Sequence, residues 1–311
     1  MQYFSKEQLE TLLPYSKLIE ALRIGFQEGA DVPLRHLHSV GDNSLLLMPS
    51  WQQGGMMGLK MTMVCPKNTS KGLESIQSTY ILSDAVTGIT RAILDGDELT
   101  CRRTASASAL ASSYLSKVDA SSILMMGSGK LAPHLIRAHM AVRDIKEVYI
   151  WGRRFEAAKK LAIQLNSELS ATVTAIENPE KYANICGIIS CATYATEPIL
   201  HGKWLKSDDN QHIDLVGGHT YDMREADNDL IQASEIYVDT FDGALAEAGD
   251  ILRPIDEKII TREDVKGDLY DMVKDGFAKH DDQKTTLFKS VGTALEDLIA
   301  AKLAFQSSSQ A

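Results

Sequence analysis

Basic blocks, long apolar runs and paired cysteines are scarce in this 311-residue sequence, and each shortage removes a class of function. The formal charge is −10 and no block of lysine or arginine offers a local exception, so binding along a nucleic-acid backbone is excluded. No window approaches the ~20 consecutive apolar residues of a membrane-spanning helix. The opening Met1-Gln2-Tyr3-Phe4-Ser5-Lys6-Glu7 lacks the basic start and apolar run of a secretory signal, and a cytoplasmic protein is expected. Cys65, Cys101, Cys186 and Cys191 show no C-x-x-C spacing, so they read as reduced, buried thiols and not as a disulfide frame or a zinc site. His36 and His38 share one strand face without a nearby carboxylate or cysteine, and no metal is expected. No internal repeat appears, and the length suits two ordinary domains.

What the chain does have is a glycine turn between a strand and a helix. The apolar run Ile123-Leu124-Met125-Met126 leads into Gly127-Ser128-Gly129-Lys130-Leu131-Ala132. Gly127 permits a sharp turn off a strand, Gly129 lets the backbone approach a pyrophosphate, and Ala132 allows close helix-to-strand packing. The amides of residues 128–131 would then face an anion at a helix N-terminus. Downstream the pattern alternates: helix 131–141, strand 147–151, helix 155–169, strand 171–175, and the apolar stretch 185–193. This is the βαβαβ order of a parallel sheet. Further strands are expected at 213–216 and 235–239, with a helix over 224–233 between them. NAD-preferring folds usually end the second strand on an acid that binds the ribose; here Trp151-Gly152-Arg153-Arg154 stands there, which suits a 2′-phosphate better.

Upstream the character differs. Ser5 with Gln8 has capping-box spacing, Ser16 with Glu20 suggests a second helix start, and Leu18, Ile19, Leu22 and Phe26 form one helical face that should stop near Gly29. Residues 44–48, 58–64, 75–82 and 89–94 are short β-branched or apolar runs between turn residues, which predicts an antiparallel sheet. A helix over 97–115 follows. Near the C-terminus, Val291, Ala294, Leu295, Leu298, Ile299 and Leu303 recur at helical spacing, and this last helix is expected to return to the first domain.

The ordered set Gly58-Leu59-Lys60, Pro66-Lys67-Asn68, Asp95-Gly96-Asp97-Glu98-Leu99-Thr100-Cys101-Arg102-Arg103-Thr104-Ala105, the glycine turn, Trp151-Gly152-Arg153, Val216-Gly217-Gly218, Arg224-Glu225-Ala226-Asp227 and Phe288-Lys289-Ser290-Val291-Gly292 resembles the ornithine cyclodeaminase/μ-crystallin family across nearly the whole chain. The resemblance implies an α/β protein: a Rossmann-type NAD(P)-binding domain, 115–290, plus an α+β substrate and dimerisation domain, 1–114 completed by 291–311. It also implies a homodimer. Arg35, Lys60 and Arg103 match the positions where the family holds its substrate carboxylate, with Lys60 the catalytic candidate. The chemistry agrees, since an arginine grips a planar anion with two parallel bonds while a lysine adds a point charge. Ser75, Thr193 and Ser290 match hydroxyl positions that contact cofactor or site. With Gly127, Ser128, Gly129, Lys130, Leu131, Arg153, Arg154, Val216, Gly217, Gly218 and His219 they make up the expected cofactor set. The implied cofactor is NADPH, with NADH as the second candidate.

Two departures separate the chain from the cyclodeaminases it resembles. Their catalytic aspartate after Val-Gly-Gly is replaced by His219, and the acid expected before Met48-Pro49 is replaced by the leucines of Ser44-Leu45-Leu46-Leu47. The usual glutamine of the glycine turn is Leu131. A cationic grip without an acid for a substrate ammonium suits reduction of a preformed cyclic imine, Δ1-pyrroline-2-carboxylate to L-proline or Δ1-piperideine-2-carboxylate to L-pipecolate. Ornithine cyclodeaminase, alanine dehydrogenase and a non-catalytic crystallin-like binder of NADPH stay open at this point.

Overall fold

The computed structural model describes residues 1–205, 210–274, 277 and 284–309. Two compact units divide the chain: Met1–Ser106 together with the segment from Gly292 on, and Ala107–Val291. The division falls inside one continuous helix, Gly96–Leu115, and not after its end as the sequence pattern suggested.

The first unit opens with β1 (Gln2–Phe4), α1 (Lys6–Leu12) and α2 (Tyr15–Glu28). The capping box at Ser5 is formed: the Gln8 amide donates to Ser5 Oγ at 3.4 Å while the Ser5 amide donates to Gln8 Oε1 at 2.9 Å. The second helix starts earlier than its serine suggested. Pro14 is the N-cap, with no side-chain cap bond, because its ring carries no acceptor for the amides of the first turn. That helix stops at Gly29, whose φ of +72° is left-handed.

A six-stranded sheet follows, with β2 (His36–Val40), β3 (Asn43–Trp51), β4 (Met56–Val64), β5 (Ile76–Asp84) and β6 (Thr90–Asp95). Its order is β1-β6-β5-β4-β3-β2; all pairs are antiparallel except β1 with β6. The period-two alternation sorts β4 cleanly: Gly58, Lys60 and Thr62 are buried, whereas Met57 and Met61 on the opposite face are exposed. Then comes α3 (Gly96–Leu115).

In the second unit the order is β7 (Ser122–Met126), α4 (Ala132–Met140), β8 (Glu147–Trp151), α5 (Phe155–Asn166), β9 (Thr172–Ile176), α6 (Glu180–Ala183), β10 (Ile188–Cys191), β11 (His212–Leu215), α7 (Asn228–Ala233), β12 (Glu235–Val238), α8 (Phe241–Glu247), α9 (Gly249–Asp256), β13 (Val265–Gly267), α10 (Leu269–Met272) and β14 (Thr286–Lys289). The eight strands are all parallel, in the order β13-β12-β14-β11-β10-β7-β8-β9. The direction of winding reverses between β7 and β10, the switch point at which open α/β sheets bind ligands beyond their carboxyl ends. Both faces bury apolar residues, as a parallel sheet requires.

The helix expected over 224–233 is shorter, beginning only at Asn228. The four residues before it give their amides elsewhere: Arg224 to the Ala195 carbonyl, Glu225 and Ala226 to Asp250 Oδ1, and Asp227 to the Leu200 carbonyl. Asp227 then caps α7 by accepting from the Leu230 amide at 3.0 Å.

The last helix, α11 (Ala294–Ser308), belongs to the first unit and packs against β3, β4 and α2. Ser50 Oγ donates to the Ala294 carbonyl at 2.8 Å. A Cβ at Gly25 would lie 2.4 Å from Ile299, so this glycine sets how closely α2 and α11 approach. Among the described residues no helix is long and apolar enough to cross a membrane.

Candidate active site

The start of α11 gathers the three predicted cations of the first unit. Arg35 Nη2 donates to the Gly292 carbonyl at 2.8 Å. Lys60 Nζ lies 2.8 Å from Asp297 Oδ2. Arg103 donates from Nε to Asp297 Oδ1 at 3.0 Å and from Nη1 to Glu296 Oε2 at 2.6 Å. Gly292 has φ +82°, and a Cβ there would lie 2.4 Å from Arg103 Nη1, so no other residue fits beneath the guanidinium. Lys60 and Arg103 are only 3% and 5% exposed, and Arg35 is half-buried.

Burial depresses the Lys60 ammonium to about 8, with Arg103 and Arg35 pushing the same way and Asp297 pulling it back up. Burial also works against charge on Arg103, but Asp297 and Glu296 outweigh it and hold that pKa above the ordinary range. Expected as an open fork for a ligand, the Arg103 guanidinium instead commits Nε and Nη1 to protein carboxylates.

This geometry corrects one expectation. The strand before Met48 does lack an acid, with Leu46 paired to Thr62 and Leu47 to Met61. Carboxylates nevertheless reach the cluster from Glu296 and Asp297, both essentially buried. The available signal was the pair of adjacent acids, Glu296 and Asp297, set between Leu295 and Leu298 of the apolar helical pattern; only the apolar positions of that helix entered the sequence reading. Arg102, one residue along α3, is engaged with Glu98 at 2.6 Å and the Leu13 carbonyl at 3.0 Å, and is structural.

In the second unit the predicted cofactor residues line the carboxyl edge of the parallel sheet. The ladder runs one residue past each strand: Gly127 N to Trp151 O at 2.8 Å, Ala192 N to Met126 O at 2.9 Å, Val216 N to Cys191 O at 2.9 Å and Ser290 N to Leu215 O at 3.2 Å. Gly127, Thr193, Val216–Gly217–Gly218 and Ser290 therefore sit at one rim. The turn fits a dinucleotide. A Cβ on Gly127, φ +131°, would strike the Ala192 carbonyl at 2.6 Å, whereas Gly129 has open space where its Cβ would be, as close approach of a phosphate needs. Ser128 is half-buried, Lys130 is exposed, and Leu131 is the N-cap of α4. A Cβ on Gly152 would lie 2.7 Å from Ser128 Oγ, so the end of β8 abuts the turn, with Arg153 and Arg154 exposed just beyond.

Ser75 belongs to the first unit, directly before β5, where its carbonyl accepts from the Cys65 amide at 2.6 Å. His219 is exposed, with Nδ1 3.3 Å from the Gly217 carbonyl. Among the described residues no group of three or more His, Cys, Asp or Glu side chains is placed to hold a metal.

Glu225 was missed by the sequence reading, having been placed on a helix. Its buried carboxylate ties two strand ends together: Oε1 accepts from the Thr193 amide and hydroxyl, each at 2.7 Å, and Oε2 from the Gly217 amide at 2.8 Å. Behind it, Asp250 accepts from the Glu225 amide at 2.7 Å and stands 3.2 Å from Lys289 Nζ. Burial raises the Glu225 pKa, Lys289 opposes that rise and Asp250 adds to it. Glu225→Gln keeps the shape but turns one acceptor into a donor facing an N–H. Charged hydrogen bonds contribute about 1.5–3 kcal/mol each, so cofactor affinity should fall roughly tenfold or more. Calorimetric titration with NADPH checks this; unchanged affinity would remove Glu225 from the account.

Residues 6–311 match the ornithine cyclodeaminase/mu-crystallin family model, and the chain belongs to that family. It is 35% identical over 311 residues to a Δ1-pyrroline-2-carboxylate reductase of Colwellia psychrerythraea, covering 97% of both chains. It is 30% identical over 316 residues to the mouse ketimine reductase mu-crystallin, covering 98% of this chain and 96% of that one. Among solved structures, the Thermococcus litoralis Δ1-pyrroline-2-carboxylate reductase in complex with NADH and L-proline superposes with a TM-score of 0.93 at 32% identity, covering 100% of this chain and 98% of that one.

Proposed function

We propose that this chain is an NAD(P)H-dependent reductase of cyclic imino acids that converts Δ1-pyrroline-2-carboxylate to L-proline and accepts the six-membered Δ1-piperideine-2-carboxylate as a homologue. The observation that carries the reading is the charge of the buried cluster: three cations, Arg35, Lys60 and Arg103, against two carboxylates, Glu296 and Asp297, leave one positive charge for one substrate carboxylate. A nicotinamide cofactor held at the Gly127–Gly129 turn would supply the hydride for the imine carbon. The protein's own part is to hold the ring by its carboxylate and to keep an ammonium, Lys60, for the nitrogen. Hydride on carbon and a proton on nitrogen together complete the secondary amine, and Lys60 is reprotonated from solvent.

The relatives named as pyrroline-2-carboxylate and ketimine reductases support this choice. Ornithine cyclodeamination is disfavoured because an exposed histidine, His219, occupies the place of the catalytic aspartate. A comparison of substrates tests the choice: NADPH with pyrroline-2-carboxylate should turn over, ornithine with NAD+ should release no ammonia, and alanine with NAD+ should not be oxidised. Ammonia from ornithine at a comparable rate would overturn it.

Arg153 and Arg154 support a preference for NADPH over NADH. Arg153→Asp should weaken NADPH binding by roughly tenfold while leaving NADH nearly unchanged, since only the 2′-phosphate meets the lost charge. Equal loss for both cofactors in fluorescence titrations would sink the assignment.

The exposed Met57 and Met61 face of β4 supports a homodimer covering this sheet. Light scattering should give twice the chain mass, and Met61→Lys should shift it toward the monomer. A wild-type protein that stays monomeric at all concentrations would contradict the dimer.

A further inference from the structure

The Lys60 ammonium is the one lysine of the cluster, and its surroundings would displace it unless something held it. Across the sheet it pairs with Tyr80 on β5, while Arg103 on α3 and Arg35 ahead of β2 are like charges. Against these stands Asp297 on α11, which forms an ion pair with Lys60 through Oδ2 at 2.8 Å and accepts from Arg103 Nε through Oδ1 at 3.0 Å. Glu296, its neighbour, reaches Arg103 at 2.6 Å. The two carboxylates therefore divide the work: one supports the arginine, and the other bridges arginine and lysine.

We propose that Asp297 is a positioning residue of the reductase, fixing the Lys60 ammonium beside Arg103 and setting the upper pH at which the enzyme still works. The inference rests on the reductase reading given above for the use of Lys60, but the bridge itself is a property of the folded chain. The direction follows from charge. Without Asp297, Lys60 keeps its burial and its two cationic neighbours and loses its counter-ion, so it sheds its proton at lower pH. An opposite charge within ~4–6 Å is worth about 1–3 pH units.

The test compares the pH dependence of kcat/KM in wild type, Asp297→Asn and Glu296→Gln, with thermal unfolding to establish that each is folded. Wild type should lose activity on the alkaline side near pH 8, where the buried ammonium titrates. Asp297→Asn should move that limb down by about one unit or more, and should recover much of its activity at pH values below the shifted limb. Glu296→Gln should raise KM and leave the limb where it is. The substrate's own ionisation is common to all three enzymes, so the displacement of the limb is the readout.

A folded Asp297→Asn whose activity falls equally at every pH, with the limb unmoved, would overturn the proposal and leave Asp297 a structural residue. If Asp297→Asn does not fold, Glu296→Gln still decides, because a limb displaced by a full unit in that variant would contradict the division between the two acids. NMR titration of the Lys60 ammonium, assigned by its absence in Lys60→Arg, needs no turnover. It separates the two claims: a proton on Lys60 that ignores Asp297 defeats this inference, whereas a Lys60 that follows Asp297 in a protein that reduces no imine defeats only the assigned reaction.

Discussion

Replacing Lys60 by methionine should lower kcat/KM for Δ1-pyrroline-2-carboxylate by roughly three to six powers of ten, with NADPH affinity nearly unchanged. Methionine is an unbranched, uncharged side chain of similar length, so the loss isolates the ammonium. Two contributions add: a charged hydrogen bond to the substrate carboxylate, about 1.5–3 kcal/mol, and proton delivery to the nitrogen, typically about 10²–10⁴ in rate. The substitution also takes the Lys60 ion pair from Asp297 and leaves it Arg103, so folding stability should fall as well, and unfolding measurements belong with the kinetics. A methionine enzyme that keeps its kcat/KM within tenfold of wild type would remove Lys60 from the chemistry.

Arg103→Lys should be far from conservative. Arg103 reaches two different carboxylates from Nε and Nη1, a geometry set by the planar guanidinium; a lysine presents one compact ammonium and leaves Asp297 or Glu296 short of a donor. Each charged bond lost costs about 1.5–3 kcal/mol. The consequence is twofold: kcat/KM should fall by one to two powers of ten, and the unfolding midpoint in denaturant should drop. The structural loss arises from internal partners and so appears without substrate. Unchanged stability together with unchanged kcat/KM would contradict both the site and its internal support.

Local signals carried much of the architecture into the sequence. The glycine turn was legible because Gly127, Gly129 and Ala132 each answer a backbone requirement within one short stretch, and the capping box at Ser5 closes within three residues. The antiparallel sheet showed in the short apolar and β-branched runs, set between turn residues, that form β3 to β6. What stayed hidden depends on partners distant in sequence. Arg103 meets Glu296 and Asp297 across 193 and 194 residues, and no local pattern announces such a pairing. β1 is three residues long and owes its existence to pairing with β6. Residues 224–227 have helical composition, but their amides are captured by Asp250 and by two distant carbonyls, so tertiary bonds override propensity there. Glu225 was obscured for the same reason, its role being visible only once Thr193 and Gly217 stand beside it.

The family includes a crystallin branch, so the central claim is that this chain turns over its imine and does not merely hold it. The most direct measurement mixes the protein with NADPH and Δ1-pyrroline-2-carboxylate at neutral pH, follows the nicotinamide absorbance, and quantifies proline. The account predicts multiple turnovers, with one L-proline formed for each NADPH oxidised. Saturable binding of NADPH and of the imine with no proline formed would contradict it.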